Sequence, residues 1–237
     1  MEREMTGGRA LKRKILRLLQ AEDVNESLAE LERMPGRQVV NPLFSLLLNE
    51  NETIRWRAVV AMGTVIARLA DSDMESARIV MRRLMWSLND ESGGIGWGAP
   101  EVMAEAMARH SALAREYISV FCSYADEEGN YLEYEPLQRG LLWGLLRLAR
   151  QDPELVRDVI PRVPNYLKSQ DPAVRGPAAW VAGLVGSVDA VTELAHLSQD
   201  EAEFRTYIDG EFHTQRVKDT VSEALASLER QSREFLK

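Results

Sequence analysis

Asn51-x-x-Ile54-Arg55-x-x-Ala58-x-x-Ala61-Met62-Gly63 is the stretch that decides the fold. It returns as Asp171-x-x-Val174-Arg175-x-x-Ala178-x-x-Val181-Ala182-Gly183. A capping residue, an aliphatic, a base and then small apolar residues three and four apart describe the first turns of an amphipathic helix. The basic position recurs at Arg55, Gly96, Arg139, Arg175 and Lys218, in steps of 41, 43, 36 and 43 residues. Self-similarity at about forty residues marks a helical repeat array. One two-helix unit cannot bury its apolar face alone, so neighbours stack to cover it. Gly96 is the one member of the series that is not a base.

Four residues before each of these positions stand Asn51, Ser92, Glu135, Asp171 and Thr214. Asn, Ser, Asp and Thr side chains accept from the free N–H groups of a first helical turn. Glu135 caps less well, but Pro136 follows it as Pro172 follows Asp171, and proline suits the first helical position. These signals predict second (B) helices over about 52–70, 97–109, 136–150, 172–186 and 214–235. First (A) helices are expected at 41–49, 74–89, 111–125, 153–168 and 188–198, the fourth kinked by Pro161 and Pro164. Residues 9–20 and 23–34 read as an extra helical pair. The expectation is one all-α domain over 1–237, an N-terminal helical cap (1–37) followed by five repeats (38–237).

The links from B to A helices are short, whereas three A-to-B links are decorated. Residues 90–98 read DESGGIGWG, and residues 126–135 read DEEGNYLEYE, with five acids and no base. Residues 203–213 carry Asp209-Gly210 between alternating apolar residues, which predicts a small β-hairpin. Insertions in a repeat array gather on one edge, often the binding edge.

These repeats resemble HEAT repeats, of the short kind also seen in phycobilisome-lyase-like proteins. The segment SGGIGWGAPE at 92–101, with the Asp209-Gly210 hairpin, is similar to an uncharacterised family of small bacterial HEAT-repeat proteins. The resemblance implies a curved superhelix lined by B helices that serves as an interaction scaffold more often than as an enzyme. It also implies that the template arginine pairs with the capping Asp of a neighbouring repeat.

Composition narrows the function. The chain has 237 residues, 29 basic and 37 acidic, for a net charge of −8. That balance argues against a protein built to grip phosphate backbones. The single cysteine, Cys122, excludes an intramolecular disulfide and a CxxC metal knuckle. Met1 to Leu19 lacks the apolar core and cleavage site of a signal peptide, and no apolar run approaches the ~20 residues of a membrane span, so a cytoplasmic protein is expected. His110, His196 and His213 are scattered and form no HExxH motif; no GxSxG or P-loop motif is present.

The candidate contacts lie along the decorated edge. Gly96 and Trp97 sit in the glycine-rich segment, where glycine lets a ligand or chain approach the backbone. Glu101 follows on the first turn of the next helix, with Glu105 on the same face at i, i+4. Tyr131 and Tyr134 belong to the acidic loop, and Arg139, Trp143 and Trp180 to the B helices after it. Aromatics with arginine make interaction hot spots, although each tryptophan suits packing between repeats equally well. The reading is a non-enzymatic scaffold for a protein or peptide partner, using Gly96, Trp97, Glu101, Tyr131, Tyr134, Arg139, Trp143 and Trp180. No catalytic residue, metal or cofactor is assigned. Two alternatives stay open: a small-molecule or cofactor pocket at 92–101, and a groove for damaged DNA.

Overall fold

The structure, a computed structural model, describes residues 8–89 and 96–235. It divides into two compact units, Met1–Leu113 and Ala114–Lys237. The expected Ser92 cap falls outside the described residues, as does most of the glycine-rich segment before Gly96. No described helix is long and apolar enough to cross a membrane.

In the first unit run α1 (Gly8–Gln20), α2 (Val24–Glu32), α3 (Gly36–Leu46), α4 (Glu52–Ser72), α5 (Met74–Leu88) and α6 (Ala99–Arg109). The template stretch is the front of α4. The Asn51 side chain accepts from the Ile54 N–H at 3.2 Å, so the predicted cap forms. Ile54, Ala58, Ala61, Met62 and Val65 are buried, and α4 packs against α2, α3, α5 and α6. The small residues at this spacing let α6 come close. A Cβ on Gly63 would lie 2.6 Å from the Glu105 side chain of α6. Helix α1 packs on α3 with Ile15 and Leu19 buried. Arg57 of α4 donates to the carbonyls of Leu19 (2.9 Å) and Ala21 (2.6 Å), satisfying the orphan acceptors at the end of α1.

In the second unit come α7 (Ser111–Ser123), whose first turn holds the division, α8 (Glu135–Gln151), a 3₁₀ stretch (Pro153–Arg162), α9 (Val163–Leu167), α10 (Pro172–Val185), a 3₁₀ turn (Val188–Ala190), α11 (Val191–His196), strands β1 (Glu203–Ile208) and β2 (Glu211–Arg216), and α12 (Val217–Phe235). Helix α10 is the hub and packs against α8, α9, α12 and β1. Asp171 caps it, accepting from the Ala173 N–H at 2.9 Å.

Several boundaries differ from expectation, each for a local reason. The fourth A helix is 3₁₀ over Pro153–Arg162 and α-helical only over Val163–Leu167. Pro161 and Pro164 remove two N–H donors, and Val156 leaves helical angles (φ −110°, ψ 19°). Thr214 is not a cap. It lies in β2 opposite Arg205, because residues 211–216 complete the antiparallel ladder, and α12 begins at Val217. Helix α8 takes Tyr134 as its N-cap and α6 takes Gly98, neither with a side-chain cap bond. The hairpin itself forms as expected. Asp209 (φ 53°) and Gly210 (φ 90°) supply the two positive φ angles of the tight turn.

Candidate functional site

In the first unit the site is the turn into α6. Gly96 is buried against the end of α5, and a Cβ there would lie 2.8 Å from the Ser87 carbonyl oxygen. That explains why this repeat carries no arginine at the template position. Trp97 follows with 42% of its surface exposed. Glu101 occupies the first turn of α6. Its side chain is half-buried, but Oε2 is sealed from solvent with no hydrogen-bond partner among the described residues. Desolvation pushes its carboxyl up to about 7, more than its own backbone N–H and the Arg55 charge pull it down. Glu105 does not join it: this second carboxylate is buried and holds Arg109 at 2.6 Å. Among the described residues no group of three His, Cys, Asp or Glu side chains could hold a metal ion.

In the second unit the site is the acidic loop and the start of α8. The Gln138 side-chain amide spans the loop, donating to Tyr131 Oη (3.0 Å) and to the Leu132 carbonyl (2.9 Å). Asp126 pairs with Arg162, and that hydrogen bond holds its carboxyl below the usual range. Glu127, Glu128, Glu133 and Glu135 are exposed and form no ion pair within 4 Å among the described residues, and Tyr134, between Glu133 and Glu135, is 47% exposed. The loop thus presents an aromatic ring within a field of carboxylates.

Three of the expected contacts are occupied internally. Arg139 is exposed, yet its Nε donates to Asp171, the cap of the following B helix. Trp143 is only 8% exposed and donates from Nε1 to the Tyr207 carbonyl of β1 at 2.7 Å. Trp180 donates to Glu223 of α12 at 2.6 Å and meets the Phe204 ring edge-on at 6.0 Å. Trp143 and Trp180 therefore anchor the hairpin and the last helix. Trp143→Phe keeps an aromatic ring but removes the buried hydrogen bond to the Tyr207 carbonyl. It is expected to destabilise the chain by about 2 kcal/mol, read as a lower urea midpoint with an unchanged slope.

One surface was not anticipated from sequence. Between α3 and α5 lies an open groove of about 280 Å³, with Val40, Leu69, Ile79 and Val80 as its apolar lining and Arg37 and Arg83 beside them. Trp86, near the end of α5, is 77% exposed. The signal lay in α5, where Ile79 and Trp86 stand seven residues apart as large apolar residues off the buried face of Ala77, Val80, Met81 and Leu84.

No protein-family model matches the chain. An uncharacterised protein of Archaeoglobus fulgidus is 24% identical over 190 residues, covering 78% of this chain and 93% of that one. An engineered protein solved by the Northeast Structural Genomics Consortium superposes with a TM-score of 0.52 at 16% identity, covering 93% of this chain and 97% of that one. A designed armadillo repeat protein in complex with the peptide (KR)4 superposes with a TM-score of 0.51 at 14% identity, covering 91% and 98%. The fold is an α-helical repeat of the HEAT/armadillo class. In this HEAT-like array the template base links successive elements of the second unit. Arg139 pairs with Asp171, Arg175 with Asp200 at 2.6 Å, and Lys218 with Glu201. Arg139 thus pairs with the capping Asp of the next repeat, as the resemblance implied, whereas Arg175 and Lys218 are held by carboxylates of the loop before β1.

Proposed function

We infer that the chain is a non-catalytic repeat scaffold whose A-to-B loop edge takes a protein or peptide partner with a basic segment. The observation that carries this is Tyr134, exposed between the exposed Glu133 and Glu135 on the loop that also carries Glu127 and Glu128. A lysine or arginine laid across that loop meets carboxylates for its charge and an aromatic face for cation–π contact. Tyr131 is braced beneath by Gln138. Arg139 positions α8 through Asp171. In the first unit, Trp97 and Glu101 on the turn after Gly96 supply the same pairing of ring and carboxylate. A fold neighbour whose structure holds a (KR)4 peptide supports the choice of a basic ligand.

The test is fluorescence anisotropy with a labelled (KR)4 peptide, and an all-glutamate peptide as control. The triple variant Tyr134→Ala, Glu133→Lys, Glu135→Lys is expected to weaken binding at least about tenfold, which is the loss of one hot-spot contact. Its melting curve should stay near wild type, since all three side chains are exposed. Equal affinity of wild type and variant would sink the assignment.

A small-molecule site at the turn into α6 is the second reading, favoured by the buried Oε2 of Glu101, which has no hydrogen-bond partner among the described residues. Native mass spectrometry and an absorbance spectrum of the purified protein decide it. Bound mass that disappears in Trp97→Ala, Glu101→Ala supports that reading, and a clean mass leaves the peptide scaffold.

A further inference from the structure

The net charge of −8 is not spread evenly. Met1–Leu113 contains 15 basic and 16 acidic residues, whereas Ala114–Lys237 contains 14 and 21. Nearly all the excess acid belongs to the second unit. Within the almost neutral first unit, α1 carries Arg9, Lys12, Arg13, Lys14 and Arg17 and no acid at all.

The structure sorts these five bases. Lys14 pairs with Glu30 of α2 at 2.8 Å. Arg9, Lys12, Arg13 and Arg17 are exposed and meet no described carboxylate. Arg9, Arg13 and Arg17 stand at i, i+4 and i+8, so they form one row about 12 Å long at 1.5 Å per residue. On a 100° helical wheel the centre of that row lies about 140° from the midpoint of Ile15 and Leu19, the buried side of the helix. The row is held firmly. Helix α1 packs on α2, α3 and α4, and Arg57 ties down its carbonyl end.

We propose that the exposed face of α1 is a docking surface for the phosphate backbone of a nucleic acid, bound without regard to sequence. Three features of the helix select this partner. First, the face offers charge and no apolar anchor. A protein partner needs a desolvated core to its interface, whereas a polyanion gains affinity from released counterions alone. Second, the apolar side of α1 is spent on the first unit's core, which removes the insertion by which amphipathic helices hold a membrane. Third, the row is made of arginines, whose planar fork matches phosphate oxygens. With no aromatic residue on α1 for stacking on bases, a duplex backbone suits it better than unpaired strands.

The test is anisotropy of the full-length chain with a labelled duplex DNA of 20 base pairs and mixed sequence, titrated across salt concentrations. Three arginines neutralising three phosphates predict a log–log slope of affinity against salt of about −2.7. The variant Arg9→Gln, Arg13→Gln, Arg17→Gln keeps helix-forming residues and should melt like wild type. It is expected to flatten the slope to near zero and to weaken binding at 50 mM salt at least about tenfold. Glu133→Gln, Glu135→Gln, on the acidic loop of the proposed peptide surface, should leave the slope near that of wild type. No binding at 50 mM salt, or an unchanged slope in the arginine variant, overturns the proposal. So does equal competition by poly-glutamate or by vesicles rich in anionic lipid, which reassigns the face to acidic proteins or to membranes.

Discussion

Gly183→Val is expected to lower the stability of the chain by about 3 kcal/mol, the upper range for overpacking a tight interior. Gly183 lies where α10 crosses α12, and a Cβ on it would stand 2.6 Å from the Ala224 Cα and 2.9 Å from its Cβ. The nearest obstacle is backbone. Relief therefore requires the two helices to separate, and α10 packs on α12, α8, α9 and β1 at once. Thermal unfolding measures the result. For a chain of this size about 3 kcal/mol corresponds to a fall of roughly 6–12 °C. Ala224→Gly in the same chain should restore only part of the loss, because it removes the methyl group and leaves the Cα in place. Gly8→Ala is the matching control. Among the described residues nothing beyond its chain neighbours and its own helix backbone stands within 4 Å of the added carbon, so the change should be neutral or slightly stabilising. A Gly183→Val chain that melts like wild type would show that the crossing is not this close.

The same glycine explains why so much of the fold was legible. Gly63 and Gly183 close the two clearest copies of the repeat, and both turn out to sit at helix crossings. Small residues at helical spacing announce a close neighbour, and that information is local. The caps at Asn51 and Asp171 and the Asp209-Gly210 turn are local too, since each depends on residues two to four positions away. Thr214 failed as a cap because the pattern that captured it lies across a ladder, opposite Arg205. The internal partners of Trp143 and Trp180 were out of reach for the same reason. Their indole N–H groups are claimed by Tyr207 and Glu223, 64 and 43 residues further on. A tryptophan near the start of a repeat helix looks alike whether a distant strand covers it or a partner does. Tyr134 was easier to place on the surface, because its immediate neighbours, Glu133 and Glu135, are both charged.

Glu101 was marked by its position after the glycine-rich segment, but its burial was invisible in sequence and sets the second large effect. Glu101→Gln is expected to stabilise the chain at pH 8 and to change little at pH 4. The carboxyl lies at about 7 in the folded chain, against an ordinary value of 4.5. Between those two values the folded state holds a proton that the unfolded state has released. Stability therefore falls as pH rises from about 4.5 to 7 and stays lowered above that. The shift corresponds to at most about 3 kcal/mol at pH 8. Gln is neutral at every pH and close in shape to the protonated acid, so the variant lacks this loss. Asp73, Asp126 and Asp200 run the other way. Hydrogen bonds hold their carboxyls low, so they weaken the fold only on acidification below the usual carboxylate range. They are common to both proteins and cancel in the difference. Urea midpoints of wild type and variant across pH 4 to 8 give the answer: the gap should open through pH 5 to 7, and parallel curves would mean that Oε2 is hydrated or bonded. The same titration reports on function. A cationic partner group that reaches Oε2 stabilises the charged carboxylate, so saturating ligand should narrow the gap at pH 8 by favouring wild type alone.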